Sequence, residues 1–65
     1  MREHTIALPF FSLSDAMARA FMVAKENYYN ATCGLLRIEA RETVRGGETV
    51  DVYEFTFTIS GSEAK

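Results

Sequence analysis

Cys33 and His4 are the only thiol and the only imidazole in the sequence. Chemistry that needs a nucleophile beside a base, or a metal held by several soft ligands, therefore has one candidate of each kind and no second. The same count excludes an internal disulfide. Cys33 stands just before Gly34 and reads as a small buried hydrophobe. His4 has no ligand companion near it. Asn30-Ala31-Thr32 has the form of a glycosylation triplet, but it falls inside an expected helix with no secretory signal ahead of it. No glycine-rich phosphate loop, paired-cysteine motif or nucleophile elbow is present. The expectation is a protein without catalytic residues, cofactor or metal.

The remaining candidates are charged or amphipathic. Carboxylates at Glu42, Glu48 and Asp51 crowd around Gly46-Gly47, and Arg37, Arg41 and Arg45 recur every four residues. Tyr53, Phe55 and Phe57 alternate along one run, and Met22 and Tyr29 stand seven residues apart. What each can do depends on the element that carries it.

Residues 4–11 alternate, with Ile6, Leu8 and Phe10 on one side, which predicts a strand; Pro9, which cannot donate to a ladder, places it at a sheet edge. Ser12 stands three residues before Asp15 in a capping-box-like start, and nothing up to Thr32 breaks a helix. The prediction is a helix over 13–32, stopped by Gly34. Leu13, Met17, Ala20, Phe21, Ala24, Tyr28 and Ala31 form its core stripe, with Arg19, Lys25 and Glu26 turned away. Runs 35–45 and 48–60 are joined by Gly46-Gly47, a pair suited to the positive φ of a tight hairpin. A two-residue turn pairs Arg45 with Glu48, Ala40 with Tyr53, Ile38 with Phe55 and Leu36 with Phe57. Residues 61–65 read as a frayed tail. The expected fold is one α+β domain spanning 1–65, β-α-β-β, with a three-stranded antiparallel sheet of order 1-3-2 and one long helix on one face.

A domain of 65 residues buries only roughly 60% of the surface its unfolded chain exposes. Without a disulfide or metal to compensate, self-association or a partner is the expected source of added stability. The net charge of −2 lacks the basic excess of a phosphate-backbone binder. The apolar run 6–11 is too short for a membrane span and is broken by Pro9, so a cytoplasmic protein is expected.

In the predicted register Glu42 faces Asp51, a like-charge pair that makes either an acidic docking spot or weak cation site, or two side chains solvated past the helix end. The arginine stripe is a basic surface, or is neutralised by Glu39, Glu48 and Glu54. The alternating aromatics are stacking groups for bases, or core beneath the helix. Met22 and Tyr29, with Ala18, form a second apolar strip suited to a protein contact. The candidate partner-binding residues are Met22, Tyr29, Glu42, Glu48 and Asp51.

Leu36-Arg37-Ile38-Glu39, opening a long hairpin through Gly46-Gly47 to Tyr53-Glu54-Phe55-Thr56-Phe57-Thr58, resembles the dodecins, small proteins that assemble into hollow twelve-subunit flavin stores. In that family a tryptophan near the start of the second strand stacks on the flavin ring; here Leu36 and Arg37 occupy that region, and the chain has no tryptophan. The format of the whole chain, Met1 to Lys65, is similar to the small phage-encoded inhibitors called anti-CRISPR proteins, which bind an effector complex and block it. That resemblance implies a protein or ribonucleoprotein partner and, for a phage-encoded chain, a host cytoplasm as the place of action. The charge and the short apolar run add the expectation of no direct nucleic-acid contact and no membrane, and a monomer or small homo-oligomer is expected. The leading expectation is a non-enzymatic module that occludes a macromolecular partner, with a dodecin-like oligomeric flavin-binding protein as the alternative.

Overall fold

A computed structural model describes the whole chain, Met1–Lys65. Its elements are β1 (Arg2–Leu8), α1 (Leu13–Asn27), β2 (Tyr28–Tyr29), β3 (Thr32–Arg45), β4 (Glu48–Ser60) and β5 (Glu63–Ala64). β1, β3 and β4 form an antiparallel sheet in the order β1-β4-β3, so β4 is central; β2 and β5 form a separate two-stranded sheet. The class is α+β, with one helix and antiparallel sheets. The expected β-α-β-β chain lacked the second sheet.

β1 begins at Arg2 and ends at Leu8, short of Phe11, because Pro9 has no N–H to donate to the ladder. Ser12 then caps the helix: its hydroxyl accepts the Asp15 N–H at 3.3 Å, and its carbonyl accepts the Ala16 N–H at 3.1 Å.

The helix ends at Asn27 and not at Thr32. Tyr28 turns to extended backbone (φ −139°, ψ 147°) while its N–H still donates to the Ala24 carbonyl, and Asn30 takes the left-handed conformation at φ 51°, which asparagine tolerates better than most residues. The C-terminal residues explain the early stop. The Ser62 N–H donates to the Tyr29 carbonyl and the Lys65 N–H to the Asn27 carbonyl, each at 2.8 Å. The Lys65 ammonium donates to the Lys25 carbonyl at 2.6 Å, meeting one of the carbonyls a helix end leaves unpaired. Residues 61–65 are thus not a frayed tail: they pair with Tyr28-Tyr29 and close the helix end. Gly34, the expected stop, lies inside β3.

The helix seats on alanines. Ala16, Ala20 and Ala24 are completely buried, as are Phe55, Phe57 and Ile59, with Leu8 close behind. Leu13, Met17 and Phe21, assigned by periodicity to the core, are 36%, 41% and 37% exposed. An alanine row at four-residue spacing lets the helix backbone approach the sheet, and the two phenylalanines fill the layer between. The larger side chains are turned to the flank as a result. Phe11 closes one end of this core, its ring edge-on to Tyr53 at 5.7 Å and tilted against Phe55 at 5.5 Å.

Gly46 (φ 60°) and Gly47 (φ 81°) make the hairpin turn, and the register runs through Arg45↔Glu48, Glu42↔Asp51, Ala40↔Tyr53 and Ile38↔Phe55. It then slips: Arg37 pairs with Thr56 and Leu35 with Phe57, so Leu36 is an extra residue and does not face Phe57. Such a bulge sharpens the local twist of an edge strand. β1 pairs with β4 only from Tyr53 to Ile59. Beyond Tyr53 the hairpin continues as a two-stranded ribbon to its glycine turn, in a molecule 44 Å long and 18 Å and 17 Å across.

Gly61 has no room for a side chain, since a Cβ there would collide with the Tyr29 carbonyl oxygen and the Tyr28 side chain. A Cβ at Gly34 would meet only the Thr58 hydroxyl at 3.6 Å, an ordinary contact. Gly61→Ala is expected to lower unfolding stability by about 1–3 kcal/mol in urea titration and to speed amide exchange at Ser62 and Lys65. Gly34→Ala is the matched control and should cost well under that.

Candidate functional site

Two surfaces carry the candidate residues. The first is the free ribbon of the hairpin. Phe55 and Phe57 contact the helix alanines, so alternation puts Tyr53, Asp51 and Thr49 of β4 on the helix side, opposite Ala40, Glu42 and Val44 of β3. Glu42 and Asp51 are therefore directly across from one another, as the sequence register required. Both are exposed and neither has an ion-pair partner. Val44, next along this face, is 72% exposed. Glu48 lies at the turn opposite Arg45, the two exposed and not in contact as an ion pair.

All three ion pairs lie on the other face of the sheet. Arg37 bonds Glu3 at 3.3 Å and Glu39 at 3.2 Å, and Arg41 bonds Glu54 at 3.3 Å. Two of the three arginines of the stripe are thus neutralised within the chain, each exposed pair contributing about 0–1 kcal/mol. Among these charges Thr56 is almost completely buried, and its hydroxyl bonds that of Thr5 at 3.0 Å. The ribbon carboxylates Glu42, Glu48 and Asp51 take no part in this network. Phe55 and Phe57 are fully buried, so no base can stack on them.

The second surface is the outer flank of α1. Met22 is 60% exposed and borders an open, mostly apolar groove of about 520 Å³ lined by Ser14, Met17, Ala18, Phe21, Met22 and Lys25. The Lys25 ammonium lies 4.8 Å from the centre of the Phe21 ring, a cation–π contact at the groove's rim. Tyr29 does not share this surface. It lies on β2, beyond the helix end, with the Lys65 ammonium 5.2 Å from its ring centre. The helical strip drawn through Met22 and Tyr29 is broken because the helix stops at Asn27. Periodicity assigned Met17 and Phe21 to the core; the alanines at 16, 20 and 24 were the signal that the buried face lies to one side of them.

Cys33 is half-buried and packs against the core cluster. No three histidine, cysteine, aspartate or glutamate side chains converge as metal ligands would, and no helix is long and apolar enough to cross a membrane. The site offers contact, charge and shape.

The unanswered pair Glu42/Asp51 costs folding free energy. Asp51→Lys places a cation opposite Glu42 and is expected to raise stability by about 0.2–1 kcal/mol, read as a higher urea midpoint at unchanged slope. The gain should shrink in high salt, as screening requires. No protein-family model, curated protein or solved structure matches this chain.

Proposed function

We propose that this chain is a small non-enzymatic binding module that works by steric occlusion of a protein or ribonucleoprotein partner, in the manner of an anti-CRISPR-like phage or mobile-element inhibitor. The observation that carries this reading is the ribbon beyond Tyr53, which projects past the helix with Glu42, Asp51 and Glu48 free of internal ion pairs and Val44 bare. A two-stranded ribbon without a covering layer is only marginally stable in water, and this one also carries a like-charge pair. Such a segment fits a role in which a partner supplies the missing layer.

Division of labour follows from chemistry. The carboxylates match a basic groove and speed encounter, while apolar side chains, Val44 on the ribbon and Met22 on the outer helix, contribute the affinity that survives salt. Tyr29, on β2 beyond the helix end, lies off the outer-helix surface.

A dodecin-like oligomeric flavin-binding protein is the second reading. It is favoured by Leu35, Leu36 and Ile38 of the edge strand β3, which are 40%, 49% and 38% exposed, where sister subunits would cover them.

The test is affinity capture of partners by the full chain beside the Glu42→Lys/Asp51→Lys double variant, with circular dichroism on both. The expected result is capture by the wild-type chain that weakens with salt, and loss of about tenfold or more in the folded double variant, on the scale of a few charge contacts. Equal capture by both would remove the ribbon from the interface. A yellow assembly eluting with flavin absorbance would replace this reading with the second one.

A further inference from the structure

We propose that the outer groove of α1 is filled by the same groove of a second copy, two helices packing antiparallel about a two-fold axis at the level of Ala20. This rests on the reading of the outer helix as a contact surface, and it names a second copy as the occupant of that surface in place of the occluded partner, which is left with the ribbon carboxylates and Val44.

The groove is self-complementary in size. Ala18 is a small side chain in its lining and so offers a notch, and Met22, one turn further on and 60% exposed, supplies a knob. An antiparallel pair centred midway between these two residues sets Met22 of each copy at the height of Ala18 in the other. Two-fold pairing demands this reciprocity: if residue i meets j, then j meets i. Methionine, unbranched and flexible, suits such a notch. Ser14 is a second small position one turn before Ala18, and Met17 and Phe21 form the apolar wall alongside.

Charge selects the same register. The first turn of α1 carries Asp15 and the last turn carries Lys25. The midpoint of 15 and 25 is 20, which is also the midpoint of 18 and 22. The packing that fits knob to notch therefore brings the Lys25 end of each helix to the Asp15 end of the other, twice per dimer. Antiparallel helices also oppose their macrodipoles favourably. A parallel pair would set Lys25 beside Lys25 and Asp15 beside Asp15.

The chain's own economy points the same way. Only eight residues are buried, while twelve large hydrophobic side chains are exposed. No residue of the ribbon lines this groove. A dimer through α1 leaves both ribbons free, so one dimer presents two acidic arms to a partner. If both arms engage one target, binding gains from effective concentration without any new contact.

Sedimentation equilibrium of the full chain from about 10 µM to about 1 mM, with circular dichroism on every variant, tests the proposal. Wild type is expected to dimerise reversibly within that range. Met22→Asp and Ala18→Arg, both at exposed positions, should each weaken dimerisation about tenfold or more. Asp15→Lys and Lys25→Asp alone should each weaken it, because each creates two like-charge meetings. Mixing those two single variants should restore a dimer, because in the mixed pair every 15–25 meeting joins opposite charges. A wild-type chain that stays monomeric to the top of the range overturns the self-pairing. So does dimerisation indifferent to Met22→Asp and Ala18→Arg, or a mixture that fails to recover. Capture of a partner through Glu42 and Asp51 is unaffected by those outcomes, so the wider reading stands or falls separately.

Discussion

Three alanines against two phenylalanines set the architecture of this protein. Ala16, Ala20 and Ala24 give the helix a face with almost no side-chain height, so the backbone settles close to the sheet and the rings of Phe55 and Phe57, both fully buried, fill the layer. Fully burying a side chain of that size contributes about 1.5–3 kcal/mol, which makes the pair a large share of what a chain of this length has to hold it together. Closeness also restricts orientation. A helix seated on alanines cannot at the same time bury Met17 and Phe21, which stand on its flank. The apolar groove outside and the tight seat inside are two sides of one choice.

The molecule divides into a braced end and a bare end. At the braced end the sheet has all three strands, the helix covers it, and the C-terminal residues bond to the last turn of the helix through the Lys25 and Asn27 carbonyls and to β2 through that of Tyr29. The bare end is ribbon alone, held by cross-strand hydrogen bonds and two glycines at positive φ. Local stability falls from one end to the other because apolar burial does. A binding surface at the bare end can adjust its twist with little strain on the core, while the core keeps the ribbon's root fixed in direction.

What could be read in the sequence was decided locally. Gly46-Gly47 is a turn whatever surrounds it, and the period of two from there to Ile38 and Phe55 left one register. That register placed Glu42 across from Asp51 correctly. It failed at Leu36, where Leu35 and Leu36 are both apolar and alternation gives no sign of which one is the extra residue. The helix end failed for a different reason. Between Asn27 and Thr32 there is no glycine or proline, and what ends the helix is pairing with Glu63-Ala64, a contact of long range in the chain and invisible to any local pattern. The rotation of the helix was misread because Leu13, Met17 and Phe21 carry more hydrophobicity than alanines do, and periodicity weighs hydrophobicity where packing weighs size. The outer groove followed from that rotation, so only Ala18 and Met22 of its lining were read from the sequence as a contact strip.

The ribbon is also the part of the chain whose length is easiest to change. Adding two residues to each strand beside Gly46-Gly47 lengthens the arm by about 6.6 Å and keeps the turn closed by the same kind of cross-strand pair, with the side chains nearer the core left on their own faces. Nothing from Tyr53 inward would register the insertion, because β1 and the core lie wholly on the other side of it. Reach is therefore a trait that selection can vary with the core sequence held constant, and descendants of such a chain would diverge first in the length and charge of this hairpin.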